Sequence, residues 1–179
     1  MRRPTANRDQ ALIMFLLDTG LRASELCSLL VGDVDLKTGQ VSVRHGVSGG
    51  AKGGKGRVTY LGKASKKALW RYLANREDGD DPETPLFLNN ASRAFNRNSL
   101  RIMIRRLGER AGIPHVHPHK FRHTFAITYL RSNPTVKYFP SAFTIMQRTD
   151  VSFFNASNAA LYSFQKAVPK AFGGLLRMT

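Results

Sequence analysis

The sequence predicts a mixed α+β domain, mainly helical, with a small antiparallel sheet. Three observations carry that expectation. Apolar residues recur at helical spacing ahead of residue 31 and again after residue 63. Between them Val41, Val43 and His45, then Val58 and Tyr60, alternate with polar residues as two strands do. A glycine-rich run, 46–56, joins the two as a long hairpin tip.

Asn7 or Asp9 is expected to cap a first helix carrying Ala11, Leu12, Met14, Phe15, Leu16 and Leu17, with Thr19-Gly20 ending it. A second helix is expected over 22–30, turning Leu26, Leu29 and Leu30 inward until Gly32-Asp33 breaks the pattern. After the hairpin a helix over 64–76 carries Leu69, Trp70 and Leu73. An acidic loop over 77–85, with solvated carboxylates, leads to a short strand at Leu86-Phe87-Leu88. A basic helix over 99–111 stops at Gly112-Ile113-Pro114, and another helix spans 119–131. Beyond Asn133-Pro134 the stretch 138–146 is apolar without a clear period, and 155–170 reads as a helix.

At 179 residues the chain suits one domain, or one domain with an appendage, and can bury a hydrophobic core. Its charge is unusual: 28 Lys and Arg against 12 Asp and Glu, a formal net charge of +16. Such an excess implies a polyanionic partner, because basic side chains that neutralise phosphates release condensed counterions. DNA, RNA, a ribosomal surface or a merely solvated basic face all fit charge alone. The single Cys27 cannot form an intrachain disulfide, so a reducing compartment and a buried core thiol are expected. Met1-Arg2-Arg3-Pro4 leads into polar residues, and no apolar run reaches the roughly 20 residues of a membrane span. A cytoplasmic or nucleoid-associated protein is expected.

Three segments carry chemistry together. In Thr19-Gly20-Leu21-Arg22-Ala23-Ser24-Glu25-Leu26, Gly20 leaves Arg22 at a helix start, where free N–H groups and the dipole favour an anion. A guanidinium there can grip a phosphate bidentately, and Glu25, one turn on, can orient it. The hairpin tip offers Lys52 and Lys55, either as plain phosphate contacts or with one lysine turned to catalysis. In His119-Lys120-Phe121-Arg122-His123-Thr124, helical spacing puts His119, Arg122 and His123 on one face. Two imidazoles beside a guanidinium supply proton transfer next to a phosphate clamp. His115-Val116-His117-Pro118-His119 invites a zinc reading, but no Cys pair or carboxylate stands nearby in sequence, and no metal is expected.

In this order the three segments resemble the landmarks of the tyrosine recombinase (phage integrase) family: Thr-Gly-Leu-Arg-x-Ser-Glu-Leu, then Lys-Gly-x-Lys-x-Arg, then His-x-x-Arg-His-Thr. The resemblance covers about residues 5 to 132, so 1–132 reads as the family-like part and 133–179 as an atypical C-terminal segment of the same domain. It implies a tyrosine recombinase catalytic domain acting on double-stranded DNA without cofactor, through a 3′-phosphotyrosyl link, four protomers assembling for strand exchange. Carried over by residue, Arg22 and Arg122 stabilise the pentavalent phosphate and Lys52 protonates the leaving oxygen. His119 assists the nucleophile, His123 supports the site, Glu25 orients Arg22, and Lys55 and Arg57 touch DNA. Members also carry an N-terminal helical clamp, for which this sequence leaves no room.

The family's Leu-Gly-His segment and the tyrosine after it are not matched. Tyr129 lies in the histidine helix as a core aromatic, Tyr138 comes too early, and Phe153 and Phe154 stand at the usual spacing. Tyr162, 40 residues on from Arg122, is the candidate nucleophile, against roughly thirty in the family. Two origins for this tail stay open: a variant that places Tyr162 by another route, or a frameshift near Ser132-Asn133. The readings beside site-specific recombination are a type IB topoisomerase-like enzyme and a catalytically inactive DNA-binding fragment.

Overall fold

A computed structural model describes residues 5–44 and 56–132. Helices α1 (Ala6–Thr19) and α2 (Ala23–Ser28) come first, followed by a short 3-10 turn (Val31–Asp33). Strands β1 (Gln40–Val43) and β2 (Arg57–Tyr60) then precede α3 (Lys63–Leu73), α4 (Arg97–Arg110) and α5 (Pro118–Ser132). The α+β, mainly helical class expected from sequence is the class observed.

The apolar face of α1 is the centre of the core: Ala11, Leu12, Ile13, Phe15 and Leu16 have no exposed surface. Removing one such leucine side chain costs about 2–5 kcal/mol. α1 packs against both α3 and α5, while α4 packs on α2 and α5. Neither expected cap, Asn7 or Asp9, caps α1: both lie inside the helix. Thr5 precedes the helix without a side-chain bond to its backbone, and Asp9 lies inside, buried beside the Arg8 guanidinium at 2.7 Å. Arg8 also donates to Asn90 Oδ1 at 2.8 Å and to the Leu88 carbonyl at 3.2 Å, so the pair ties the first turn to a distant loop.

α2 is shorter than expected because Leu29 and Leu30 extend to meet the segment after the acidic loop. The Leu86 N–H donates to the Leu29 carbonyl at 2.8 Å, and Val31 N–H to Thr84 at 2.9 Å. Leu29 is buried as expected, Leu30 only partly. The expected strand at Leu86-Phe87-Leu88 does not form: isolated bridges join Leu30 to Pro85 just before it and Leu88 to Ala94, and the Leu88 N–H donates to the Tyr72 hydroxyl at 3.1 Å. Leu86 and Phe87 still enter the core, with Phe87 stacked on Tyr72 and edge-on to Phe15 at 5.6 Å each. The acidic loop is not wholly solvated: Asp78 pairs with Arg76 at 2.8 Å, and Arg76 also donates to the Pro85 and Leu86 carbonyls.

β1 and β2 pair antiparallel, from Gln40 opposite Tyr60 to Val43 opposite Arg57, burying Val41 and Val43 on one face. The hairpin tip with Lys52 and Lys55 lies outside the described residues, as do His45, Tyr138, Tyr162 and the stretches 138–146 and 155–170. In α3 the inward aromatic is Tyr72, not Trp70, which is 59% exposed. Buried Ser65, Ala68, Leu69, Tyr72 and Leu73 form the core stripe, and Trp70 falls outside its arc at about 100° per residue. α4 starts two residues earlier than expected because Asn96 caps it, its Oδ1 accepting from Ser99 N–H at 2.7 Å. Pro118 opens α5 at the first helical position, which its fixed φ suits.

Gly20 ends α1 in the left-handed conformation, φ 57°. A Cβ there would collide with the Phe125 side chain of α5, 2.3 Å from its Cδ1 and 2.7 Å from its Cγ. Gly20→Ala therefore adds left-handed strain to a steric clash and is expected to cost about 2–4 kcal/mol in urea unfolding. Combining it with Phe125→Ala should return the steric part alone; equal cost in both backgrounds would contradict this packing.

Candidate active site

Arg22 occupies the N-cap of α2. Its backbone N–H donates to Glu25 Oε2 at 2.7 Å and its Nη1 to Glu25 Oε1 at 3.1 Å. Thus the helix start that was expected to wait for an external anion already holds an internal carboxylate, and Arg22 is oriented by it. From β2 Arg57 reaches the same carboxylate with both arms, Nη1 to Oε1 and Nη2 to Oε2 at 2.8 Å each. This bidentate pair staples the base of the hairpin to α2. Burial alone would raise the Glu25 pKa, but the Arg57 and Arg22 hydrogen bonds and the Arg57 charge outweigh it and lower it to about 2.

Arg122 arrives from α5, its Nη1 donating to the Gly20 carbonyl at 2.7 Å. Burial works against its charge, and so does Arg22 nearby, while Glu25 supports it; the net effect lowers its pKa. His119 and His123, one turn apart, meet edge to face with ring centroids at 4.4 Å. Burial first, then repulsion from neighbouring basic groups, lowers both imidazole pKa values: Arg122 and Arg22 act on His119; His119, His117 and Arg122 act on His123. Near neutral pH the rings are held as proton acceptors rather than cations.

Arg22, His119 and Arg122 share one open cleft of about 250 Å³, with Leu21 and Pro118 among its walls. A fourth wall residue, Arg97, was missed. The signal was in the sequence: Asn96 with Ser99 forms a capping box, which fixes Arg97 in the first turn of α4. Three arginines and the His119 imidazole around one cleft suit an anion, and Glu25 is already shared between Arg22 and Arg57; His123 stands behind His119 and is not a wall of the cleft. Arg57, expected to touch DNA, has its guanidinium engaged by Glu25. Cys27 is half-buried, and burial raises its thiol pKa to about 11 against the pull of Arg97, so it is no thiolate. Tyr129 is not the buried aromatic expected: it is 39% exposed, with its ring 6.1 Å from that of Phe125. Among the described residues no group of three or more His, Cys, Asp or Glu is arranged to hold a metal ion, and no helix is long and apolar enough to cross a membrane.

The family model described as the phage integrase family matches residues 1–137. The chain belongs to the phage integrase family of tyrosine recombinases. It is 36% identical over 132 residues to tyrosine recombinase XerC of Pseudomonas fluorescens, covering 74% of this chain and 42% of that protein. With tyrosine recombinase XerC of Pelobacter propionicus it shares 34% over 171 residues, covering 92% of this chain and 53% of that protein. The chain thus spans about half the length of the curated relatives it matches. Among solved structures, XerA recombinase aligns with a TM-score of 0.62 at 29% identity, covering 92% of this chain and 62% of that one. The Tn1549 transposon integrase, solved in complex with a circular intermediate DNA, aligns at 0.59 and 25% identity over 69% of this chain and 46% of its own. The fold is that of the tyrosine recombinase catalytic domain.

The shifted groups set a pH dependence. For His119 and His123 the folded pKa lies below the unfolded value near 6.5. Their contribution is therefore complete above that pH and is lost as pH falls through the folded values. Glu25 has the same sign lower down, its contribution fading as pH drops from 4.5 toward about 2. Urea midpoints should fall from pH 7.5 to pH 5.5, and His119→Gln with His123→Gln should flatten that slope. An unchanged slope would show that these imidazoles are not held neutral by the fold.

Proposed function

We propose that this chain supplies the catalytic domain for site-specific recombination of double-stranded DNA, in integration or excision. The observation that carries this is the meeting of Arg22, His119 and Arg122 in one cleft, with Glu25 fixing Arg22. Membership of the family supports it, as does a structural relative solved in complex with a circular intermediate DNA.

In this reading a scissile phosphate sits between Arg22 and Arg122, whose charges balance the extra charge of the pentavalent transition state. The Tyr162 phenol oxygen attacks phosphorus, the bond to the 5′ oxygen breaks, and a 3′-phosphotyrosyl link forms. His119, held neutral, takes the phenol proton; Lys52 gives a proton to the departing 5′ oxygen. His123 supports His119 edge-on. One phosphate ester replaces another, so neither nucleotide nor metal is required. Lys55 contacts the DNA backbone, and Arg57 serves it by holding the hairpin on Glu25. Residues 133–179 belong to the same domain in this account, and four protomers assemble on two duplexes. A soluble, nucleoid-associated location follows from the partner.

A second reading has one observation in its favour: the family match ends at residue 137, before Tyr162. It holds that this chain binds DNA without cleaving it. A nicked suicide duplex containing the cognate site separates the two. Recombination predicts a covalent protein–DNA adduct that is lost in Tyr162→Phe and reduced about 10²-fold or more in Arg22→Ala or Arg122→Ala. Absence of adduct with salt-sensitive duplex binding retained would establish the binding fragment instead.

A further inference from the structure

α3 packs on α1 and contributes nothing to the walls of the cleft, which come from the starts of α2, α4 and α5. Its buried arc is Ser65, Ala68, Leu69, Tyr72 and Leu73. On the opposite arc, at about 100° per residue, Lys63, Lys67 and Trp70 fall within one narrow stripe, flanked by Lys66 on one side and Arg71 on the other. The helix itself contains no acidic residue; the carboxylate that meets its start, Asp18, is taken up by the Gly62 N–H at 2.7 Å. Lys66 is steadied by donating to the Lys37 carbonyl at 3.2 Å, which leaves its ammonium at the surface beside the exposed Lys37.

Trp70 is the unexplained member. A helix that only needed a solvated outer face would place a small or charged residue there, whereas this one leaves an indole 59% exposed among four cations. A lone surface hydrophobe is ordinary, but a large aromatic ringed by cations has the composition of a stacking platform. Phosphates would meet the ammonium groups while an unpaired base covers the indole face. In a duplex the base faces are already stacked on each other, so this arrangement favours a single strand.

The geometry points to a second nucleic-acid site on the outer face of α3, for single-stranded DNA, with Trp70 as the stacking surface and Lys63, Lys67 and Arg71 as the phosphate contacts. It is independent of the cleft and of the reading given for it.

Trp70 is the one tryptophan of the chain, so intrinsic emission reports on this face alone. The test titrates the full chain with an oligothymidylate of about 15 nucleotides, within the range one such platform covers. The expected result is quenching of at least half the emission, weakened by salt and unaffected by Arg22→Ala. Lys63→Glu with Lys67→Glu should weaken the quench more than tenfold, and the milder Lys63→Gln with Lys67→Gln should weaken it less, with far-UV circular dichroism unchanged in either. Three results would each overturn the proposal: no quench with the oligonucleotide, a quench that survives the double charge reversal in a folded protein, or an equal quench by polyglutamate, which would assign the face to an acidic partner.

Discussion

At Gly20 the chain leaves α1 in a left-handed turn, its carbonyl accepting the Arg122 guanidinium at 2.7 Å while its missing side chain makes room for Phe125. Two separate needs meet at that residue. The core requires α5 to lie close on α1, and the cleft requires a cation from α5 beside the start of α2. Any residue with a Cβ would push α5 away and tilt Arg122 off the carbonyl that aims it. Phosphate geometry and hydrophobic packing therefore share one atom-level constraint, linking residues far apart in sequence.

Around that turn the charges are arranged with a single counterweight. Glu25 accepts from Arg22 and Arg57 at once, and its lowered pKa keeps it ionised across the physiological range. It neutralises part of their charge, so that two arginines can stand near Arg122 without an anion present. The remaining positive potential is what a phosphate would meet. The same carboxylate connects β2 to α2, and β2 follows directly on the sequence segment that carries Lys52. Loss of Glu25 would thus loosen one arginine of the cleft and release the strand that leads to the proposed general acid.

Much of this was legible locally. Spacing of three and four residues placed His119, Arg122 and His123 on one helical face, and the rings of the two histidines do meet. Glu25 was readable as the partner of Arg22 because both lie within one turn. What escaped was long-range or depended on register. The partner of Arg57 sits 32 residues away, and the Gly20 to Arg122 contact spans 102 residues, beyond any periodic signal. Trp70 was grouped with Leu69 and Leu73 as one apolar set of α3, and only the register of the helix, about 100° per residue, shows that it lies off their arc and exposed. Leu86-Phe87-Leu88 was read as a strand from its apolar run; Leu86 and Phe87 are buried, but the segment has only isolated bridges for pairing.

The central claim is that Arg22 and Arg122 converge on one phosphate because Glu25 and Gly20 hold them there. The most direct measurement is a crystal structure of the full chain on a duplex containing its cognate site. The account predicts one DNA phosphate in the cleft, its non-bridging oxygens within hydrogen-bond distance of both guanidinium groups, with the Glu25 and Gly20 contacts intact. A duplex bound elsewhere, or an Arg122 that leaves Gly20 to reach the phosphate, would contradict it.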